Sequence, residues 1–155
     1  MDDLESDVWL HLIALGELLP AALDAQLQRD AQLTHFEFMV LSVLQLSPQS
    51  LATPTSIAQA ANSTLPRLSH VLARLETRGL VDRVTGQTDK RSREVRLTPA
   101  GRRVVIRATG PHIATARKLA LDGFDRSELE QLARLLSRIT DRLDPEDRLA
   151  HAIRD

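Results

Sequence analysis

Apolar residues recur every three or four positions through "VWLHLIALGELLPAALDAQLQRD" (residues 8–30), where Val8, Leu12, Leu15, Leu19, Leu23 and Leu27 share one face. That period predicts an amphipathic helix. Pro20 lies inside it, lacks an amide donor and crowds the preceding turn, so a kink is expected there. The pattern resumes in "LTHFEFMVLSVLQLS". There Thr34, with Glu37 three residues on, forms a capping box, and Phe36, Val40, Val43 and Leu44 face a core. Pro48 and the stretch "SPQSLATP" predict a loop. A short helix follows, capped by Thr53, with Pro54 in its first turn and Ile57 and Ala61 inward. After Asn62, Ser63 and Thr64, a longer helix runs through "LPRLSHVLARLETRG", with Pro66 in its first turn and Gly79 as its C′ residue.

The period then changes to two. "LVDRVTG" and "REVRLT" read as the strands of a two-stranded hairpin around Gly86, with Val95 and Leu97 pointing one way and Glu94 and Arg96 the other. Thr98-Pro99 starts another helix, which Gly110-Pro111 should bend or break. A last helix begins at Asp125, boxed by Glu128, with Leu129, Leu132, Leu136, Ile139 and Leu143 as its apolar stripe. The expected class is mainly α (α+β), in a chain whose 155 residues suit a single domain.

Charge sharpens this picture. Residues 1–65 hold Arg29 against eight acids, whereas residues 66–107 hold eleven Lys or Arg against four acids, a net +7 in a chain of net charge −1. Such a basic module suggests a polyanion partner. Aromatics are only 3%, which argues against stacking on single-stranded nucleic acid. With no cysteine, a disulfide framework and a thiolate metal site are excluded, and a reducing, cytoplasmic setting fits. The acidic start is unlike a signal peptide, and no apolar run approaches the length of a membrane span, so no membrane partner is expected. No phosphate loop, nucleophile elbow or His-Glu-x-x-His is present, so the chain does not read as an enzyme. The five histidines, His11, His35, His70, His112 and His151, show no short ligand spacing, and neither metal nor cofactor is expected.

On a wheel of about 100° per residue, Ser63, Arg67, His70, Arg74 and Arg78 fall in one stripe, and Leu65, Leu68, Val71, Leu72 and Leu75 fall on the other side. A short helix and tight turn before this helix, and a basic hairpin after it, make a winged helix-turn-helix. The second helix of such a pair enters the major groove of double-stranded DNA. Arg67 suits guanine bidentately; Ser63, Thr64, Ser69 and His70 suit bases or phosphates, with Arg74 on the same stripe. Lys90, Arg91 and Arg93 on the hairpin suit the backbone or minor groove.

"LTHFEFMVLSVL" followed by "TPTSIAQAANSTLPRLSHVLARLETRGLVDRVTGQTDKRSREVRLTPAGRRV" resembles the MarR family of bacterial winged-helix transcription regulators. The marks are "LARLETRGLVDR", the wing "DKRSR" and "LTPAG". The resemblance implies N- and C-terminal dimerisation helices (residues 1–32 and 108–155) around a DNA-binding lobe (residues 33–107). It implies a homodimer on a pseudo-palindromic operator, and repression released by a small-molecule effector held between the dimer helices and the lobe. It implies that Asp89 pairs with an arginine, Arg91 in this step, to shape the wing. Trp9, His11, His35, Met39, Arg107 and His112 lie on the helices that would border the effector. Absence of cysteine removes the peroxide sensing of some relatives. Pro66 and Gly110-Pro111 depart from the family pattern. The alternatives are a winged-helix protein–protein module docking on an acidic partner, and a helical small-molecule binder without DNA recognition.

Overall fold

The computed structural model describes residues 1–85 and 93–144. Helix α1 (Asp3–Ala31) starts at Asp2, whose carboxylate accepts the Glu5 amide in a capping box. It continues through Pro20 as one helix. The bond Pro20 cannot make is to the carbonyl of Gly16, an exposed residue, so water can serve that group. Helix α5 (Pro99–Ala120) likewise continues through Gly110-Pro111, with the orphaned carbonyl on exposed Arg107. Between them come α2 (His35–Leu46), α3 (Pro54–Ala60) and α4 (Leu65–Thr77); α6 (Arg126–Leu143) closes the described chain. Thr34, Thr53, Thr98 and Asp125 cap as their spacing predicts, and Thr64, which the pattern marks only as a break, caps α4 as well.

The sheet has three strands rather than the expected two. Strand β1 (Leu51–Ala52) pairs with β3 (Arg93–Leu97), which pairs with β2 (Val81–Thr85), all antiparallel in the order β1-β3-β2. Two residues are too few to show alternation, so β1 was hidden in a stretch that reads as loop. Its position is set by Gln49 and Ser50, successive residues at φ 55° and 56°. Left-handed backbone is strained for such residues and needs support. Ser50 is buried, and its hydroxyl accepts a 2.6 Å hydrogen bond from Arg102 of α5.

Leu27, Leu41, Leu44, Ile57, Leu68, Leu72, Leu75, Val81, Val95 and Val105 meet in one core beneath α2, α4 and the sheet. Leu65 does not join them; it overhangs the first turn of α4 and is 50% exposed. The ends of the chain behave differently. Leu23 and Leu27 of α1 are buried, but Val8, Trp9, Ile13, Leu15 and Leu18 are exposed, and α6 buries none of its described residues. Helix α1 is also long and apolar enough, with mean hydropathy 1.4 over 18 residues, to match a membrane span by length and composition. That corrects the expectation from uninterrupted apolar runs: the few polar residues along α1 break the runs without lowering the average enough.

The lobe joins α5 through one dense junction. Thr98 caps α5 by accepting the Gly101 amide at 3.0 Å, and its hydroxyl donates toward the carbonyls of Gly79 (2.7 Å) and Leu80 (3.1 Å). Gly79, at φ 68°, ends α4: its amide donates to the Glu76 carbonyl, and the Leu80 amide to that of Leu75. This double closure satisfies the last carbonyls of α4. Gly101 is buried, and a Cβ there would strike the Leu80 carbonyl oxygen and the Leu97 side chain. Hence Gly101→Ala should destabilise the fold by about 1–3 kcal/mol through overpacking. A thermal melt of the variant checks this; an unchanged midpoint would show the junction to be looser than described.

Candidate nucleic-acid interface and adjoining cavity

Helices α3 and α4 are joined by a turn in which Asn62 adopts φ 44° and the Ser63 amide donates to the Ala58 carbonyl at 2.8 Å. Asparagine tolerates this left-handed position better than most side chains. Thr64 then caps α4 through the Arg67 amide. With Leu68, Val71, Leu72 and Leu75 buried, the side of α4 opposite them carries Pro66, Ser69, His70, Ala73 and Thr77, all exposed.

The row of arginines lies on the flank of α4, not on its outermost face. The Arg67 guanidinium sits 4.2 Å from the centroid of the Phe36 ring. Arg74 Nη2 is 3.2 Å from Glu37 Oε1, and Arg78 Nη1 is 3.6 Å from Glu37 Oε2. Glu37 is buried, its side chain 6% exposed. The pattern identified this residue as a cap, which it is, accepting the Thr34 amide at 2.8 Å. Only the packing of α2 against α4 shows its second role. Ser63 and Thr64 stand at the turn, and Arg93 opens β3 with an exposed side chain. Asp89, Lys90 and Arg91 lie outside the described residues, as does His151. Arg83 of β2 pairs with Glu76 of α4 at 3.2 Å, and within the hairpin Arg96 pairs with Asp82 at 3.1 Å. Part of the +7 is therefore matched locally.

Between α1, α2 and α4 opens a cavity of about 960 Å³. Asp24, His35, Phe36, Met39, Arg67, His70 and Arg74 are among its walls, so the basic helix and the chain's first helix share it. Of the six residues expected at an effector site, His35 and Met39 line it. His112 of α5 stands behind them, its ring centroid 5.6 Å from that of His35 and 4.6 Å from that of Phe38. Its Nδ1 lies 3.1 Å from Oε1 of Gln26, a buried side chain that in turn donates to Asp30. Trp9, His11 and Arg107 are exposed and are not among the lining residues; His11 bonds to the Asp7 carbonyl. Sequence spacing could not bring His35 and His112 together, because they lie on different helices. No cluster of three metal-ligating side chains occurs among the described residues.

A family model described as MarR family matches residues 31–92. The chain is 33% identical to Sco3205, a MarR family transcriptional regulator from Streptomyces coelicolor solved in complex with DNA. That match covers 95% of this chain and 92% of that one, with a TM-score of 0.87. It is 26% identical to AbsC, a MarR family transcriptional regulator from the same organism, over 94% of this chain and 97% of that one, with a TM-score of 0.86. CouR from Rhodococcus jostii RHA1, solved bound to p-coumaroyl-CoA, shares the fold at 21% identity, with coverages of 90% and 95% and a TM-score of 0.75.

Burial lowers the pKa of His35, against a raising effect of Asp24; burial and then the neighbouring His35 lower that of His112. In the fold, burial thus favours the neutral form of both imidazoles. A depressed histidine contributes stability that is complete above the ordinary value of 6.5 and is lost as the pH falls below it. The melting temperature should therefore drop between about pH 7 and pH 5. The H35Q/H112Q double variant should lose less over that range; equal losses would mean that other groups carry the dependence.

Proposed function

The chain belongs to the MarR family of transcriptional regulators, and on that premise we propose that it is a cytoplasmic, homodimeric repressor that binds a pseudo-palindromic DNA operator. The observation that carries this reading is the arrangement of α4. It buries its leucines, turns Ser69 and His70 outward beside Pro66, and leads directly into a basic hairpin. Ser63, Thr64, Ser69 and His70 meet bases or the phosphates at the groove edge. Arg67 leaves the Phe36 ring to take a guanine edge, and Arg74 supports the same flank. Lys90, Arg91 and Arg93 track the backbone, with Asp89 and Arg91 shaping the wing. The role is regulatory, not catalytic.

The exposed apolar faces of α1, the second half of α5, and α6 support a dimer. Large apolar side chains left exposed at so many positions on these helices are what an interface would bury. Residues 1–32 and 108–155 build that interface, and residues 33–107 form the lobe it carries. The two-fold axis then sets the recognition helices one turn of B-DNA, about 34–36 Å, apart. The high mean hydropathy of α1 belongs to this pairing rather than to a membrane.

The cavity between α1, α2 and α4 is the effector site of this reading, with His35 and Met39 in its wall and His112 behind. Arg67 and Arg74 belong both to the cavity and to the DNA-reading helix. A ligand with different affinities for two positions of α4 shifts their populations, and that is how it would release DNA.

A gel shift on the DNA flanking the chain's own gene tests the reading, and equal affinity for a scrambled duplex would sink it. Arg67→Ala should relax preference at one base position by about 1–3 kcal/mol. Arg91→Ala should weaken binding to every sequence alike and flatten the salt dependence by about one unit. For the dimer, the L136D/I139D variant should elute at monomer mass in light scattering and lose operator binding. A monomer from the unaltered chain would overturn the interface.

A further inference from the structure

The first turn of α2 grips one flank of α4 at three points: Phe36 under Arg67, and Glu37 against Arg74 and Arg78. These arginines follow one another at seven and four residues, so they lie in one row along the helix. From this geometry we propose that Glu37 is a positioning residue for DNA recognition, setting how α4 is presented to the groove and withholding two arginines from indiscriminate phosphate binding. The inference rests on the DNA-binding reading above.

Three observations bear it. The carboxylate is buried, and a buried carboxylate is strongly unfavourable unless paired, so its hold on the arginines is more than a surface contact. It is fixed in place by the capping box, in which Oε2 accepts the Thr34 amide at 2.8 Å and Thr34 Oγ1 accepts the Glu37 amide at 3.0 Å. The arginines it holds remain partly open to solvent, with 59% and 36% of their side chains exposed. Once released, they have room to extend toward phosphates. While Glu37 holds them, the outward face of Ser69 and His70 is read with less competition from charge that attracts any duplex. Phosphate attraction is independent of sequence, whereas base-edge contacts carry the discrimination.

Glu37→Gln is the informative variant, because glutamine keeps the volume and can complete the same capping box. Full-length wild-type protein first selects a duplex from a random library. Wild type and variant are then titrated with that duplex and with a scrambled one, over a range of salt concentrations. We expect E37Q to melt within a few degrees of wild type and to bind the scrambled duplex more tightly. Its preference for the selected duplex should fall about tenfold. Each freed arginine should steepen the salt dependence by about 0.9 units. In E37Q/R74Q/R78Q the added steepness should vanish, since the released charges are gone.

Unchanged preference and salt slope in E37Q would overturn the proposal. So would a parallel loss of both affinities with a lowered melting temperature, which marks a purely structural residue. A steeper slope that survives in the triple variant would also overturn it, by showing that Glu37 does not act through these arginines. If the wild type enriches no sequence, the DNA-binding reading itself fails and this inference falls with it.

Discussion

Burial of Leu68, Val71, Leu72 and Leu75 along one side of α4 fixes what the rest of the lobe can do. At about 1.5–3 kcal/mol for each fully buried aliphatic side chain, the four together outweigh the ion pairs on the helix flank, where breaking even a buried pair costs about 3–5 kcal/mol. Packing therefore decides the rotation of α4. With the leucines packed into the core beside α3 and β2, Ser69 and His70 face outward, and the arginines are left at the side. The charges then adapt: one rests on an aromatic ring, and two share a buried carboxylate.

The same helix also sets the start of the hairpin. Its left-handed glycine turns the chain into β2, and the carbonyls of Gly79 and Leu80 accept from Thr98. The glycine at 101 then lets α5 approach the Leu80 carbonyl closely. The end of α4, the start of β2 and the first turn of α5 thus meet in one hydrogen-bonded junction, and α5 also carries His112.

A single subunit leaves its outer helices unfinished. Leu27 and Leu23 end the buried portion of α1, and most of the apolar residues before them, Val8, Trp9, Ile13, Leu15 and Leu18 included, face solvent, as do Leu135 and Leu143 of α6. Repeated Leu, Ile and Val at helical spacing cannot all be satisfied by the lobe, whose core is already closed around Leu41, Leu44 and Val105. The physical demand for a second surface follows from that mismatch between apolar supply and available core.

The sequence by itself determined the helices, the caps at Thr34, Thr53, Thr98 and Asp125, the hairpin strands and the inward row of α4. Periodicity and capping act within a few residues, so each of those features is written in a short window. It also marked Thr98, Pro99 and Gly101 as a unit, although not what the glycine touches. Tertiary structure alone decided the third strand, which rests on two residues and the strained Gln49-Ser50 pair. Through the carbonyls left free on the solvent side, it decided that α1 and α5 run on past their prolines. It alone brought His35 to His112 and gave Glu37 its arginines, because those pairs join different helices. A helical wheel shows which residues share a face. It cannot show which neighbour meets that face, and here that neighbour turned a row of cations from an outward stripe into a held flank.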